Sequence, residues 1–439
     1  MADGQGSTGD RSWGFRTRAV HAGGAPDPVT GARAVPIYQT TSFVFEDTSD
    51  AASLFALQKY GNVYSRLGNP TVAAFEERMA SLEGGIGAVA TASGQAAEFL
   101  TFAALAGAGD HIVSAASLYG GTITQLDVTL RRFGVATTFV PGTDPAAYAA
   151  AITERTKLVY AEVVSNPSGE VADLEGLAAV AHDAGVPLVV DATTATPYLC
   201  RPLEHGADIV LHSATKFLGG HGTTLGGVVV EGGTFDWGNG RHPGMTEPSA
   251  SYGGIRWWEN FGEYGFLTKL RSEQLRDIGA SLSPLSAFLL LQGVETLPQR
   301  MEAHLANARA VAEWLAADDR VGYVRWAGLP GHPDHERARR LLPLGPGAVF
   351  AFGVQGGRAA GQAFIEALEL CSHLANIGDS RTLVIHPAST THRQLTERQL
   401  QDGGVPADLV RISVGLEDPE DILWDLDQAL TAAAKVASV

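Results

Sequence analysis

A chain of 439 residues is too long for one simple core, and it reads as two domains or one large α/β domain with a smaller partner. With 45% hydrophobic and 18% charged residues it is ordinary globular material, which excludes disorder as the main state. A formal net charge of -17 repels phosphate backbones and argues against nucleic acid as a partner, and two cysteines are too few for a secreted disulfide scaffold of this size.

Residues 1–14 are polar and Gly-rich, without the basic and apolar segments of a signal peptide, and read as a disordered tail. Residues 15–65 are crowded with Gly and Pro and read as an arm that lies on another surface. The amphipathic run "NPTVAAFEERMASLEGG" follows, with Asn69 as N-cap and Pro70 at the first helical position. Beyond it, short runs ("GAVATAS", "HIVSAAS", "KLVYAEVV", "PLVVDAT", "DIVLHSAT", "LGGVVVEG") alternate with helical segments such as "GQAAEFLTFAALAGAG". That alternation predicts a mostly parallel sheet covered on both faces. The aromatic, turn-rich stretch at about 233–280 breaks the alternation and reads as an insertion. Long helices then lead to separate strands, "GAVFAFGV" and "LVRISVG", and a closing helix, which predicts a smaller C-terminal α+β domain. The division is a tail and arm over 1–65, an α/β domain over 66–280 and an α+β domain over 281–439. Cys200 and Cys371 have no metal-ligand spacing and read as buried free thiols, and no metal is expected. No apolar run is long enough to span a bilayer, so a cytoplasmic chain with no membrane partner is expected.

Ligands of open α/β sheets bind outside the carboxyl ends of the strands. Two strands end in loaded residues: "PLVVD" at Asp191, and "DIVLHSATK" running out at Lys216. An acid and a lysine there form either a plain ion pair or a Schiff-base cofactor site. Pyridoxal phosphate (PLP) needs a lysine for its aldehyde, a carboxylate for its ring nitrogen, N–H groups and hydroxyls for its phosphate, and an aromatic ring over its face. Ser213 and Thr215 flank the lysine, "SGQAA" places Gly94 and Gln95 at a helix start, and "SLYGGT" places Tyr119 after a strand. Singly these are a helix cap, loop hydroxyls, a rim tyrosine and a common turn; together and in order they point to the cofactor. The rival reading is a nucleotide-binding α/β protein with "GGIGAVATASG" as its phosphate loop. That stretch lacks both a P-loop Gly-Lys-Ser/Thr and a Gly-x-Gly-x-x-Gly pattern.

From about residue 15 to the C-terminus the chain resembles the Cys/Met-metabolism group of fold-type I PLP enzymes. The resemblance rests on "YSRLGNPT" (64–71), "SGQAA" (93–97), "SLYGGT" (117–122), "SNP" (165–167), "VVDATTATPY" (189–198), "HSATKFLGGHG" (212–222), "HPASTTH" (386–392) and "RISVGLED" (411–418). It implies a fold-type I transferase in which Lys216 is the Schiff-base lysine and proton shuttle. Asp191 is the ring-nitrogen partner, and Ser213, Thr215, Gly94 and Gln95 hold the phosphate. Tyr119 is the stacking ring, Asn166 meets the ring hydroxyl and the substrate, and Arg411 grips the substrate carboxylate. Tyr64 and Arg66 are implied to reach the phosphate of a neighbouring subunit, with Tyr119 or Tyr64 assisting acid–base steps. A homo-oligomer with shared sites, a tetramer built from dimers, goes with that pattern. The group has Asn-Thr after the aspartate where this chain has Ala192 and Thr193, so the surroundings of Asp191 are expected to differ. "SGQAA", Gly121 and the insertion resemble the branch that replaces the acetoxy group of O-acetylhomoserine with sulfide; γ-synthase and γ-lyase reactions are the alternatives.

Overall fold

The computed structural model describes residues 12–166, 168–390, 393 and 404–437. Most of the expected tail, Pro167 of "SNP", and Thr391 and His392 of "HPASTTH" lie outside the described residues.

Seven strands form the first sheet: β1 (Gly87–Thr91), β2 (His111–Ala115), β3 (Ala136–Val140), β4 (Thr156–Glu162), β5 (Leu188–Asp191), β6 (Ile209–Ser213) and β7 (Gly227–Glu231). Their order is β1-β7-β6-β5-β4-β2-β3. The pairings among β3, β2, β4, β5 and β6 are parallel, and β7 runs antiparallel to both β6 and β1. The sheet is therefore mostly parallel, as the alternation predicted. Leu188, Val189 and Val190 of β5 are fully buried, which is why this strand is apolar on both faces. β3 is absent from the predicted runs. It is an edge strand with alternating exposure and two threonines, and its pattern is too polar to announce burial.

The helix Pro70–Glu83 forms as its caps predict: the Asn69 carboxamide accepts from Thr71 N–H at 3.0 Å, Pro70 opens it, and Gly84 closes it at φ +82°. The helix Gly94–Leu105 begins at Ser93, whose hydroxyl accepts from Ala96 N–H. It packs on the sheet face that carries Val189, Leu211 and Val229. The stretch 233–280 joins the same core: Trp237, Trp257, Phe266 and Leu270 are almost wholly buried, with Trp237 and Phe266 stacked at 5.2 Å. The insertion is thus part of the core and not a surface loop; its aromatic residues need that sheet face to cover them.

A second sheet has the order β10-β11-β12-β9-β8, built from β8 (Val321–Arg325), β9 (Val349–Val354), β10 (Ser372–His373), β11 (Leu383–Ile385) and β12 (Leu409–Ser413). The helices Gly357–Ala367 and Pro419–Ala437 pack on each other beside it. Part of the N-terminal arm folds back on its own chain, which corrects the expectation that all of it lies elsewhere. Tyr38 O–H donates to Asp27, Tyr38 N–H to the Thr71 hydroxyl, and Arg78 to the Ala22 carbonyl. Further on the arm is open: Val44 is 100% and Tyr60 91% exposed. Among the described residues no helix is long and apolar enough to cross a membrane.

Candidate active site

The site is built where strands run out. β5 ends at Asp191 and β6 at Ser213, and Lys216 follows in the turn after β6. Buried Arg300 fixes this turn by donating to the carbonyls of Phe217 and Leu218 just beyond the lysine, and to that of Gly293. A guanidinium among three carbonyls holds a backbone that has no sheet or helix partners of its own. Sequence reasoning did not find Arg300; an arginine in a long helix carries no signal of its destination.

Lys216 Nζ donates to Asn376 Oδ1 at 2.5 Å. The Asn376 carbonyl in turn accepts from Arg411 Nη2 at 3.1 Å, and Arg411 Nη1 reaches Asn166 Oδ1 at 3.4 Å. Arg411 comes from β12 of the second sheet and Asn166 from the loop after β4 of the first, so this chain of contacts joins the two sheets. Asn376 is a second residue that sequence reasoning missed. Burial, and then the Arg411 charge, lower the Lys216 amine to about 8. Burial lowers Arg411 to about 10. The lysine has a neutral carboxamide and a cation as neighbours rather than a carboxylate, so the plain ion pair with Asp191 is not formed.

Asp191 Oδ1 accepts from Thr193 N–H at 2.7 Å, and the Thr193 hydroxyl accepts from Ser213 N–H at 2.8 Å, tying the ends of β5 and β6 together. Burial raises the Asp191 carboxyl. Ala192, the departure from the group's pattern, is fully buried, and its side chain adds no polar contact. Glu162 at the end of β4 also went unnoticed in the sequence. It accepts from the backbone N–H of Tyr119 at 2.6 Å and of Asn166 at 3.1 Å, one on each oxygen.

Gly94 lies against Ser213: a Cβ there would come within 2.6 Å of Ser213 Cβ, so only glycine allows this approach. The amide N–H groups of Gly94 and Gln95, at the start of a helix, find no acceptor among the described residues. The Thr215 hydroxyl is engaged with the carbonyl and N–H of Gly226. The structure thus brings together Lys216, Asn166 and Arg411; Glu162 with Tyr119; Asp191 with Ser213; and Gly94 with Ser213. Tyr64 and Arg66 stand apart from these contacts, with the Arg66 guanidinium 5.4 Å over the Tyr64 ring and Tyr64 42% exposed.

The family described as "Cys/Met metabolism PLP-dependent enzyme" matches residues 16–431. The chain is 47% identical to an O-acetyl-L-homoserine sulfhydrylase of Leptospira meyeri, covering 98% of this chain and 99% of that one. It is 50% identical to a homocysteine synthase of Schizosaccharomyces pombe, covering 95% and 98%. A crystal structure of a putative O-acetylhomoserine (thiol)-lyase from Campylobacter jejuni, bearing a pyridoxyl-lysine phosphate residue, superposes with a TM-score of 0.92 at 35% identity over 95% of this chain and all of that one.

The residues fit PLP. An amine near neutrality suits imine formation, and Asp191 ends the neighbouring strand. The unpaired N–H groups at the start of a twelve-residue helix suit a phosphate.

Proposed function

The chain belongs to the Cys/Met metabolism family of PLP-dependent enzymes, and from that premise we propose that it converts O-acetyl-L-homoserine and sulfide to L-homocysteine and acetate, as an O-acetylhomoserine sulfhydrylase serving methionine biosynthesis. The observation that carries this reading is the chain Lys216–Asn376–Arg411–Asn166, an amine near neutrality beside a carboxylate-sized cationic grip. The names of the relatives support the choice of acyl group and of sulfide.

In this reading Lys216, Asp191, Ser213, Thr215, Gly94, Gln95, Tyr119 and Asn166 hold the cofactor. When bound, PLP supplies an electron sink for negative charge at the substrate's α-carbon. Arg411 presents a planar fork to the substrate's α-carboxylate, and Asn166 orients that fork. Lys216, lowered to about 8, is neutral often enough near pH 8 to accept the α-proton and then return it. Asn376 gives the freed Lys216 amine an acceptor between those two transfers. Asp191 keeps a proton on the ring nitrogen. Over the whole reaction the γ-carbon–oxygen bond breaks, a γ-carbon–sulfur bond forms, and acetate carries the electron pair away.

The open arm supports a homo-oligomer, a tetramer built from dimers in the cytoplasm, in which Tyr64 and Arg66 enter a neighbour's site. Division into an arm (1–65), a cofactor domain (66–280) and a C-terminal domain (281–439) is part of the same proposal. Steady-state rates with O-acetyl- against O-succinylhomoserine, each with sulfide and with cysteine, test it. The acetyl ester with sulfide is expected to have the highest kcat/KM; preference for the succinyl ester and cysteine would replace the reading with a γ-synthase.

A further inference from the structure

Three carboxyl groups crowd one face of the first sheet at the site: Asp191 at the end of β5, Glu162 at the end of β4, and Glu98 from the second turn of the helix Gly94–Leu105. Glu98 is 3% exposed and has no cationic partner among the described residues. Its Oε1 is met by the Thr122 hydroxyl at 2.8 Å and the Tyr160 hydroxyl at 3.1 Å, and its Oε2 by Gln95 Nε2 at 3.0 Å. The titratable groups facing it are Asp191, Glu162 and Tyr160. Burial and then the Asp191 charge raise Glu98 to about 8, and the same two causes raise Glu162. Three like charges so close in a dry site do not all persist, so the cluster keeps a proton.

The hydrogen-bond partners decide where that proton rests. Both oxygens of Glu162 and Oδ1 of Asp191 face backbone N–H groups, which only donate; an O–H there would point donor at donor. The partners of Glu98 on Oε1 are hydroxyls, which rotate and accept as readily as they donate. We propose that Glu98 stores one proton in the cofactor-free site and releases it when the protonated ring nitrogen of PLP pairs with Asp191. Glu98 is then a positioning residue that sets the charge around Asp191. The proton leaves the Glu98 O–H for the buffer and the electron pair stays on the carboxylate. This rests on the reading that Lys216 and Asp191 bind PLP.

The test titrates the cofactor-free full-length chain with PLP at pH 7 in two buffers of different ionisation enthalpy, which counts the protons released per site. Lys216 is present in every protein compared, so its own contribution cancels. Glu98→Gln keeps an acceptor for the hydroxyls and removes the proton, and Glu98→Met is the second variant should the first not fold. The wild type is expected to release about one proton more than either variant, and its affinity to rise with pH about tenfold per unit more steeply between pH 6 and 8. In infrared difference spectra, a protonated-carboxyl band is expected to vanish on PLP addition in the wild type and to be absent from the variants. Equal proton counts, or a band that persists in the wild type, overturn the proposal alone. A wild-type chain that binds no PLP overturns the reading of Lys216 and this proposal with it.

Discussion

Arg411→Lys isolates the fork from the charge. The two guanidinium nitrogens point to Asn376 O at 3.1 Å and Asn166 Oδ1 at 3.4 Å, so the group is aimed before substrate arrives. A carboxylate taking that fork receives two charge-assisted bonds, and lysine keeps one. Losing one such bond costs about 1.5–3 kcal/mol, or roughly 10- to 150-fold in kcat/KM. The loss is expected mainly in KM for O-acetylhomoserine, because the grip is the same in the ground and transition states. Arg411→Met removes the charge as well. Since Arg411 helps to lower Lys216 to about 8, the lysine should rise towards its ordinary value, and the limb of the pH–rate profile that reports it should move to higher pH. Arg411→Lys should leave that limb in place. Steady-state kinetics from pH 6 to 10 read both effects. An unchanged KM in Arg411→Lys, or the same limb in Arg411→Met, would refute the placement of Arg411 at the substrate.

Lys216→Ala is expected to lose both turnover and the visible absorbance of lysine-bound cofactor; a mutant with full activity sinks the mechanism. Removal of Glu83, whose carboxyl meets His212 Nε2 at 2.5 Å with both side chains fully buried, strands a polar ring behind β6. Glu83→Ala should therefore cost about 3–5 kcal/mol in urea unfolding, and a loss under 1 kcal/mol would show the pair to be idle. Burial raises Glu231 to about 8, while its carboxyl accepts from Trp237 Nε1. Because the folded state holds this proton and the unfolded state does not, stability falls as pH rises from the ordinary glutamate range to 8. Glu231→Gln keeps the Trp237 bond and should raise Tm at pH 8 by more than at pH 5; an equal shift at both would refute the assignment. His304 is pushed down to about 4, mainly by burial, so the unfolded chain binds its proton first and stability drains as pH falls from about 6.5 to 4. His304→Gln should flatten that slope in acid unfolding curves, and an undiminished slope would show that other groups carry it.

Much of the candidate site at the carboxyl end of the sheet was legible in the chain. A strand buried on both faces must be apolar throughout, so "PLVVD" and "DIVLHSATK" announce their ends by the first polar residue, and those ends are where ligands sit. Asn69, Pro70 and Gly84 mark their helix because caps and left-handed glycines act over a few residues. What stayed hidden depends on distant segments meeting. Edge strand β3 is too polar and exposed to announce itself. Arg300 and Asn376 lie 84 and 160 residues beyond Lys216 in numbering, and no local pattern says that one caps its turn and the other accepts a hydrogen bond from its amine. Glu98 and Glu162 look like ordinary solvated acids in "QAAEF" and "YAEVV" until the sheet and the helix Gly94–Leu105 close over them. Local rules govern which residues end a strand or begin a helix, because the backbone satisfies its hydrogen bonds among near neighbours. The charge state of a buried carboxyl is set by dielectric and by groups far along the chain, and only the packed structure brings those within range.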